Sequence, residues 1–564
     1  MESRMSARAL TIALGGWRTR EPAYEALADG IRLLCLDNRI APRTALPAER
    51  ELALALRISR STVSMAYQSL RDSGHISSLR GSGSVTLPLG RREVGRILET
   101  EGTIDLQQAS PPAWPGLAGH MADVAADAAT LASRSGYDVL GRAELREAIA
   151  EHFRARGLPT EPRQIMITAG AQSAIHLLAS VLIGRGDRVA IETPTYPHAA
   201  DALRRAGGRL VGIPVSPESG WDLERVAESF ARTRPVLAYL MPDFQNPTGR
   251  SMSVHEREAV ELAAGRSGTR LILDETTADL DIARGFQDRG FRTTDESLVV
   301  RVGSLGKTVW GGLRVGWIRT DHDLIDRLVQ ERPAYDLGTP EFEQAVAAGL
   351  IPRLPEIARH RGEYLGEGRD ALVSALAERL PEWRVPSVDG GVALWVELNA
   401  PLSSALVLQA REAGLLLAAG PRFALEGGNE RHLRIPFTAP PSDLRRAVEI
   451  LAEVWPGVLR DAPHGVRDLW SSPSELESHR GSHHVDNTRA STASSRLQNC
   501  PSAWNLRSRG WKRFAAKCSP CSSRPTRTCP IGPRPGSTTR QASIPMGMSC
   551  IRGLCICVSL RNRT

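Results

Sequence analysis

The chain has 564 residues, 41% of them hydrophobic, enough for two or three domains with sizeable cores. No run of about eighteen apolar residues occurs and the N-terminus lacks a signal-peptide pattern, so a soluble cytoplasmic protein is expected rather than a membrane or exported one. The net charge of +8 does not describe the body: residues 487–564 hold 14 Lys and Arg and no acid, which leaves 57 basic and 63 acidic side chains, a net of −6, in residues 1–486. Overall basicity therefore carries no argument for nucleic-acid binding by the folded part. Cys35 is the only cysteine before position 500, which fits a reducing compartment.

Residues 22–37, PAYEALADGIRLLCLD, place Tyr24, Leu27, Ile31 and Leu34 on one helical stripe. Pro47 opens a second helix, PAERELALAL, where its missing N–H costs nothing. After Arg57-Ile58-Ser59 a third helix, RSTVSMAYQSLRDS, turns Val63, Tyr67 and Leu70 inward and stops at Gly74. Ile76–Leu79 and Ser84–Leu87 then flank Arg80-Gly81-Ser82-Gly83 as a small hairpin. Three short helices and a hairpin predict a winged helix-turn-helix over residues 17–88. In such a motif the second helix of the pair presents its N-terminal side chains to the DNA major groove. Here these are Ser59, Arg60, Ser61 and Thr62, with Arg50 of the preceding helix reaching the same groove and Arg80-Gly81 at the wing tip reaching the minor groove or backbone. Arginine suits guanine or phosphate, and the hydroxyls suit phosphate oxygens or base edges. Taken alone, Arg60 reads better as an ordinary solvated arginine, and only the combination with the other elements changes that. Ten Arg against seven acidic residues in 17–88, a net of +3, suit phosphate contact.

Residues 89–101 are charged, lack an apolar face and read as a linker. From about residue 102, short β-rich runs (Ile165–Thr168, Arg188–Glu192, Val236–Leu240, Leu271–Leu273, Leu298–Val302) alternate with helical stretches such as Ala171–Ile183 and His255–Ala264. That alternation predicts an α/β domain with a largely parallel sheet. Longer helices after about residue 360 and the run Gly391–Leu398 predict a smaller α+β subdomain ending near Leu459. Residues 460–564 lose all periodicity and are expected to be a disordered tail. Cys518-Ser-Pro-Cys521 has zinc-ligand spacing but no matching second pair, so no metal site is assigned.

The stretch GSLGKTVWGGLRVG holds Lys307, the only lysine in residues 1–511 against 60 Arg in the same span. A phosphate-binding loop ending Gly306-Lys307-Thr308 would need glycine at position 301, where Arg stands. An inconsequential surface lysine sits poorly with a chain that writes almost every other cation as Arg. Arginine is not deprotonated in proteins, whereas a lysine amine can be and can then attack an aldehyde. A Schiff-base lysine for pyridoxal phosphate fits that demand.

Such a lysine needs a carboxylate at the pyridine nitrogen, phosphate donors at a helix N-terminus, a ring stacker and a donor to the phenolic oxygen. Asp274 closes the apolar strand Leu271-Ile272-Leu273, at a strand C-terminus where α/β sites lie. Thr168-Ala-Gly170-Ala171-Gln172 sits between a strand and a helix. Asn246, in Phe244-Gln-Asn-Pro-Thr-Gly249, and Tyr196, in Glu192-Thr-Pro-Thr-Tyr-Pro197, each follow a strand end. Ser304 and Arg314 bracket the lysine. Singly each has a plain alternative: Asp274 as a helix cap, Asn246-Pro247 as a turn, Tyr196 as core packing.

The order LPAERELA, SRSTV, RGSGS resembles the GntR-type winged helix, and the order and spacing of the second set resemble fold-type I aminotransferases over about residues 102–459. The fusion resembles the MocR family of transcriptional regulators. The resemblance implies Lys307 as the cofactor's internal Schiff base, Asp274 at the pyridine nitrogen, Asn246 at the phenolic oxygen and Tyr196 on the ring. It further implies Gly170, Ala171, Gln172, Ser304 and Arg314 at the phosphate, Arg434 of Leu433-Arg-Ile-Pro-Phe437 at a substrate carboxylate, and Tyr137 lent to the neighbouring subunit's phosphate. A head-to-tail homodimer acting on operator DNA and sensing an amino acid, an amine or the cofactor follows, with an active aminotransferase or a cofactor-free DNA-binding protein as alternatives. Thr276 and Thr277 stand where many relatives have tyrosine, and Gly306 where many have serine; these departures bear on rapid transamination more than on binding.

Overall fold

The computed structural model describes residues 3–461 apart from 16, 19–21, 38, 80–82, 88–101, 134 and 286–296. The expected wing tip at Arg80-Gly81, the linker at 89–101 and nearly all of the expected tail lie outside the described residues.

Two of the N-terminal helices start where a hydroxyl caps an apolar stripe. Ser6 accepts from the Ala9 N–H at the start of α1 (Ala7–Leu14), and Ser59 accepts from the Thr62 N–H at 3.0 Å at the start of α4 (Arg60–Asp72). Between them run α2 (Ala23–Leu36) and α3 (Glu49–Leu56). Leu27, Ile31, Val63, Tyr67 and Leu70 are buried in one core, and the Tyr67 hydroxyl donates to the Pro47 carbonyl at 2.9 Å. Four short strands, β1 (Ser3–Arg4), β2 (Thr44–Ala45), β3 (Ile76–Leu79) and β4 (Gly83–Thr86), make a sheet in the order β1-β2-β4-β3. The hairpin pairs Ile76 with Thr86 and Leu79 with Gly83. β1 and α1 precede the expected start at residue 17, yet Leu10 and Leu14 of α1 belong to the same core.

The next domain is built on eight strands: β6 (Ile165–Thr168), β7 (Arg188–Thr193), β8 (Arg209–Ser216), β9 (Gly220–Trp221), β10 (Leu237–Leu240), β11 (Arg270–Asp274), β12 (Val299–Ser304) and β13 (Gly316–Arg319), after the short β5 (Ile104–Asp105). Their order is β6-β13-β12-β11-β10-β7-β8-β9. The pairs among β12, β11, β10, β7 and β8 are parallel, while β13 runs antiparallel to both neighbours and β9 antiparallel to β8. Alternate residues go to opposite faces: Ile272 packs under α5 (Ala171–Leu182) and α6 (Pro197–Arg205), whereas Leu271 and Leu273 pack under α7 (Val254–Ser267). A sheet covered on both faces needs such near-continuous apolar strands, and it leaves the strand carboxyl ends free to carry polar loops.

Beyond it, α8 (Leu354–Arg379), α9 (Ser403–Glu412) and α10 (Pro441–Asp461) share a core with the sheet β14 (Ala393–Glu397), β17 (His432–Pro436) and β16 (Ala418–Ala419), in the order β14-β17-β16, and with β15 (Leu415–Leu416), which pairs with β5. Leu33 of α2 enters this same core, so the N-terminal helical module docks on the smaller subdomain. Among the described residues no helix is long and apolar enough to cross a membrane.

One buried cation ties these layers to the lysine loop. Arg361 of α8 is 2% exposed and donates through Nε to the Thr308 carbonyl and through Nη2 to the Val309 and Pro112 carbonyls, each at 3.0 Å. Arg361→Met, similar in length, leaves the Thr308 and Pro112 carbonyls without this donor, while Val309 keeps only the Trp114 N–H at 2.9 Å. We expect it to lower the unfolding free energy by about 2–4 kcal/mol, read as an earlier chemical denaturation midpoint; an unchanged midpoint would show that the tie is dispensable.

Candidate functional site

Four chain segments converge at the carboxyl ends of the central strands and enclose a cavity of about 680 Å3. The first runs from β6 into α5. Gly170, at φ +88°, permits the turn, and a Cβ there would sit 2.8 Å from the Arg314 guanidinium. Gly316 on β13 is equally confined, since its Cβ would lie 2.7 Å from the Gly170 backbone. Ala171 and Gln172 open α5 and line the cavity, where the first-turn N–H groups have no intrahelical acceptors. The Gln172 Oε1 is buried without a partner among the described residues.

The second segment ends β11. Asp274 is buried, accepts from the Tyr239 hydroxyl at 2.5 Å and from the Thr276 N–H at 3.0 Å, and burial raises its pKa while these bonds oppose the rise. Asn246, on the loop after β10, lines the same cavity with a buried Oδ1 that has no partner.

The third follows β12. Ser304 closes the strand, accepting from the Gly306 N–H at 3.0 Å and donating to the Val315 carbonyl at 3.1 Å, which folds the chain so that Lys307 points into the cavity. The Lys307 amine donates to the Ala109 carbonyl. Desolvation first and the charge of Arg434 second lower its pKa to about 8, against the opposing pull of Asp274. Arg314, at φ +52°, sends Nη2 to the Ala169 carbonyl at 2.7 Å and thereby locks the β6–α5 turn.

The fourth wall comes from the smaller subdomain and from α6. Arg434 on β17 donates to the Gln107 carbonyl at 2.5 Å, stacks its guanidinium 4.8 Å from the centre of the Phe423 ring and keeps a buried Nε without a partner; burial brings its pKa down to about 10. Tyr196 precedes α6, and its hydroxyl lies 3.2 Å from His198 Nδ1. Its pKa is pushed up to about 12 by burial and by Asp274.

The residues singled out from sequence thus divide. Lys307, Asp274, Asn246, Tyr196, Ala171, Gln172, Ser304, Arg314 and Arg434 all line the cavity, and Gly170 backs it against Arg314. Tyr137 does not: it is 73% exposed, away from the cavity. Ser59, Arg60, Ser61 and Arg50 are exposed around the N-terminal end of α4, with Thr62 partly covered. Arg60 Nε stands 3.4 Å from Glu49 Oε2 on α3, an exposed contact of the kind that contributes little. Tyr239, Arg361, Asp37 and Arg422 escaped the sequence reading. Tyr239 sits in an apolar run and reads as core, and the other three are joined to the cavity only by long-range folding.

With that geometry established, two family descriptions match the chain: "aminotransferase class I and II" over residues 118–451 and "bacterial regulatory proteins, gntR family" over residues 23–85. The chain is 27% identical over 442 residues to the uncharacterized HTH-type transcriptional regulator YdfD of Bacillus subtilis, covering 72% of this chain and 90% of that one. It is 29% identical over 427 residues to the probable rhizopine catabolism regulatory protein MocR of Rhizobium meliloti, covering 69% and 85%. Among solved structures it resembles LysN, an α-aminoadipate aminotransferase of Thermus thermophilus complexed with N-(5'-phosphopyridoxyl)-L-leucine, at 26% identity and a TM-score of 0.58, over 66% of this chain and 98% of that one.

The lowered amine is directly measurable, because only the neutral form acylates. The rate of Lys307 labelling by a neutral acylating reagent, followed by peptide mass spectrometry, should climb through pH 8 and level off above it. An Nα-acetyl-lysine standard, with the ordinary value of about 10.4, should still be climbing at pH 10. A Lys307 profile superimposable on the standard would mean that the amine is not desolvated.

Proposed function

Because the chain belongs to the aminotransferase class I and II family and carries a gntR-family DNA-binding domain ahead of it, we propose that it is a transcriptional regulator whose pyridoxal phosphate pocket senses an amino acid or amine. The observation that carries this reading is the pairing of a desolvated Lys307 amine with a cavity wall to which the DNA-binding module itself contributes, through Leu36 and Asp37.

The residues present fit the cofactor. Unpartnered, buried Asn246 Oδ1 and Gln172 Oε1 face a space where polar groups are otherwise expensive, and the Gly170 turn with Arg314 and the open end of α5 forms an anion cradle. Bound there, pyridoxal phosphate supplies an aldehyde for an amine and an electron sink for what replaces it. Lys307 holds the aldehyde, and its lowered pKa provides neutral amine near physiological pH. Asp274, oriented by Tyr239, pairs with the pyridine nitrogen. Asn246 serves the phenolic oxygen, Tyr196 covers the ring, and Gly170, Ala171, Gln172, Ser304 and Arg314 take the phosphate. Arg434 holds the ligand's α-carboxylate by a bidentate pair.

On the DNA side, Ser59, Arg60, Ser61 and Thr62 at the start of α4 enter the major groove, with Arg50 beside them and the Arg80-Gly81 wing tip following the backbone. Arg60 exchanges its loose contact with Glu49 for DNA. The protein works in the cytoplasm as a head-to-tail homodimer. Exchange of the DNA-binding modules between two copies would reproduce the docking surfaces seen within one chain, and exposed Tyr137 would reach the second copy's phosphate.

Turnover is the second reading, favoured by a lysine, an aspartate and an arginine that line one cavity. Rapid conversion of an amino donor with a keto acid acceptor would promote it over sensing.

Two variants test the proposal. Purified protein should carry a yellow absorbance band that borohydride fixes covalently, and Lys307→Ala should lose it; colourless protein that takes up no added cofactor defeats the sensing reading. Arg60→Ala should weaken binding to the protein's own upstream DNA by roughly tenfold, with a shallower salt dependence if the contact is to phosphate. Unchanged affinity would remove α4 from the interface.

A further inference from the structure

The DNA-binding module places a carboxylate in the ligand cavity. α2 ends at Leu36, and Asp37, whose N–H closes the helix on the Leu33 carbonyl at 2.9 Å, lines the same cavity as Lys307, Tyr196 and Arg434. Asp37 Oδ2 is buried and finds no hydrogen-bond partner among the described residues. Burial raises its pKa, and Arg422, Arg39 and Arg411 pull it back in that order. A buried carboxylate oxygen without a donor is an expensive arrangement, tolerated here because cations surround it.

Arg422 is the complementary oddity. It lies on the 3-10 turn Gly420–Phe423, lines the cavity near Arg434 and is only 13% exposed at its side chain. Its one ion pair among the described residues is a long one, 3.7 Å to Asp201 Oδ2. Its charge lowers the pKa of His198 and acts on Tyr196 and Arg434. One arginine suffices for an α-carboxylate; the cavity holds a second guanidinium with capacity to spare.

We infer that Arg422 receives a second, distal carboxylate of the ligand, and that Asp37 occupies the field of Arg422 until that ligand arrives. The sensed class is therefore amino acids with two carboxylates. A neutral side chain leaves Asp37 undisturbed. A distal carboxylate brings two like charges to one guanidinium in a poorly solvated space, and the end of α2 is displaced. Since α2 packs on α4 in one core, the displacement reaches the DNA-reading helix. The same contact operates whether α2 comes from the same chain or, on exchange, from the second copy.

This inference rests on the sensing reading above, and its test separates the two. Full-length protein with pyridoxal phosphate is titrated with L-2-aminoadipate, L-glutamate and the neutral L-norleucine, following the cofactor absorbance, and its affinity for its own upstream DNA is measured with and without each. The wild type should prefer the dicarboxylates. Arg422→Gln should keep the absorbance band and norleucine binding but lose that preference by roughly tenfold or more, and Arg422→Lys, which retains the charge, should restore part of it. Asp37→Asn should keep or tighten dicarboxylate binding, while DNA affinity no longer responds to it. A wild type that binds norleucine as well as glutamate, an Arg422→Gln variant with the preference intact, or an Asp37→Asn variant with the DNA response intact overturns the inference. A wild type with no cofactor band instead overturns the sensing reading beneath it.

Discussion

A single amine has to be kept dry in a cavity crowded with cations, and much of the architecture follows from that requirement. Lys307 donates to the Ala109 carbonyl and, among the described residues, has no carboxylate in contact. Arg434 disfavours its protonation and Asp274 favours it, so the amine is poised by desolvation first and by the balance of two charges second. Solvation would return it toward the ordinary lysine value. The loop that carries it is accordingly fixed from behind: Ser304 folds the chain after β12, and Arg361 gathers the carbonyls of Thr308, Val309 and Pro112. Arginine suits that second task because its planar fork serves several acceptors at once and it stays charged when buried. The division of labour between the two cations is chemical: one must lose a proton, the other must not.

The same logic orders the rest of the cavity. Lys307, Arg314, Arg422 and Arg434 face it, against Asp274 and Asp37. Arg314 is occupied structurally, bridging to the Ala169 carbonyl and filling the space that Gly170 leaves. Arg434 spends one nitrogen on the Gln107 carbonyl and leaves Nε unpartnered. A site with this excess of positive charge is incomplete without anions, and a phosphate together with one or two carboxylates balances it. Glu192 shows the opposite treatment of a buried acid. Three donors, from Trp221, Met241 and Gln245, surround it, and burial still pushes its pKa up to about 8. Asp37 Oδ2 has no such donor among the described residues, which is why it stands out.

Much of this was legible in sequence because local rules and tertiary demand agreed. The strands Ile165–Thr168 and Arg270–Asp274 are apolar runs with polar residues at their carboxyl ends, the pattern of strands in a sheet covered on both faces. Lys307 was conspicuous because the chain otherwise uses Arg. The helix α1 was not legible. Eight residues are too short to hold a helix by propensity alone, and Leu10 and Leu14 acquire meaning only when α2 lies across them. Tyr239 was hidden in a run of buried residues, where a hydroxyl aimed at Asp274 leaves no local signature. Asp37 and Arg422 are separated by more than the length of the aminotransferase-like domain, and single-residue chemistry gives no reason to join them. Arg422 was one arginine among many, so the bias that exposed the lysine concealed the arginine.

α2 is the element in which these threads meet, because it presents different residues to two bodies. Leu27, Ile31 and Leu34 point into the core shared with α4, while Leu33 enters the core of the smaller subdomain and Leu36 and Asp37 reach the cavity. A helix packed in this way on both sides does not deform gradually, since interiors at crystal-like density shift between discrete arrangements. Any ligand that distinguishes two positions of the α2 end therefore distinguishes two positions of α4, and by linkage DNA that prefers one position alters the ligand affinity by the same factor. Were two copies to read two half-sites through α4, as proposed, its orientation would decide whether both helices fit the groove together. A small movement at Asp37 is then amplified geometrically, without any requirement that the chemistry at Lys307 proceed to turnover.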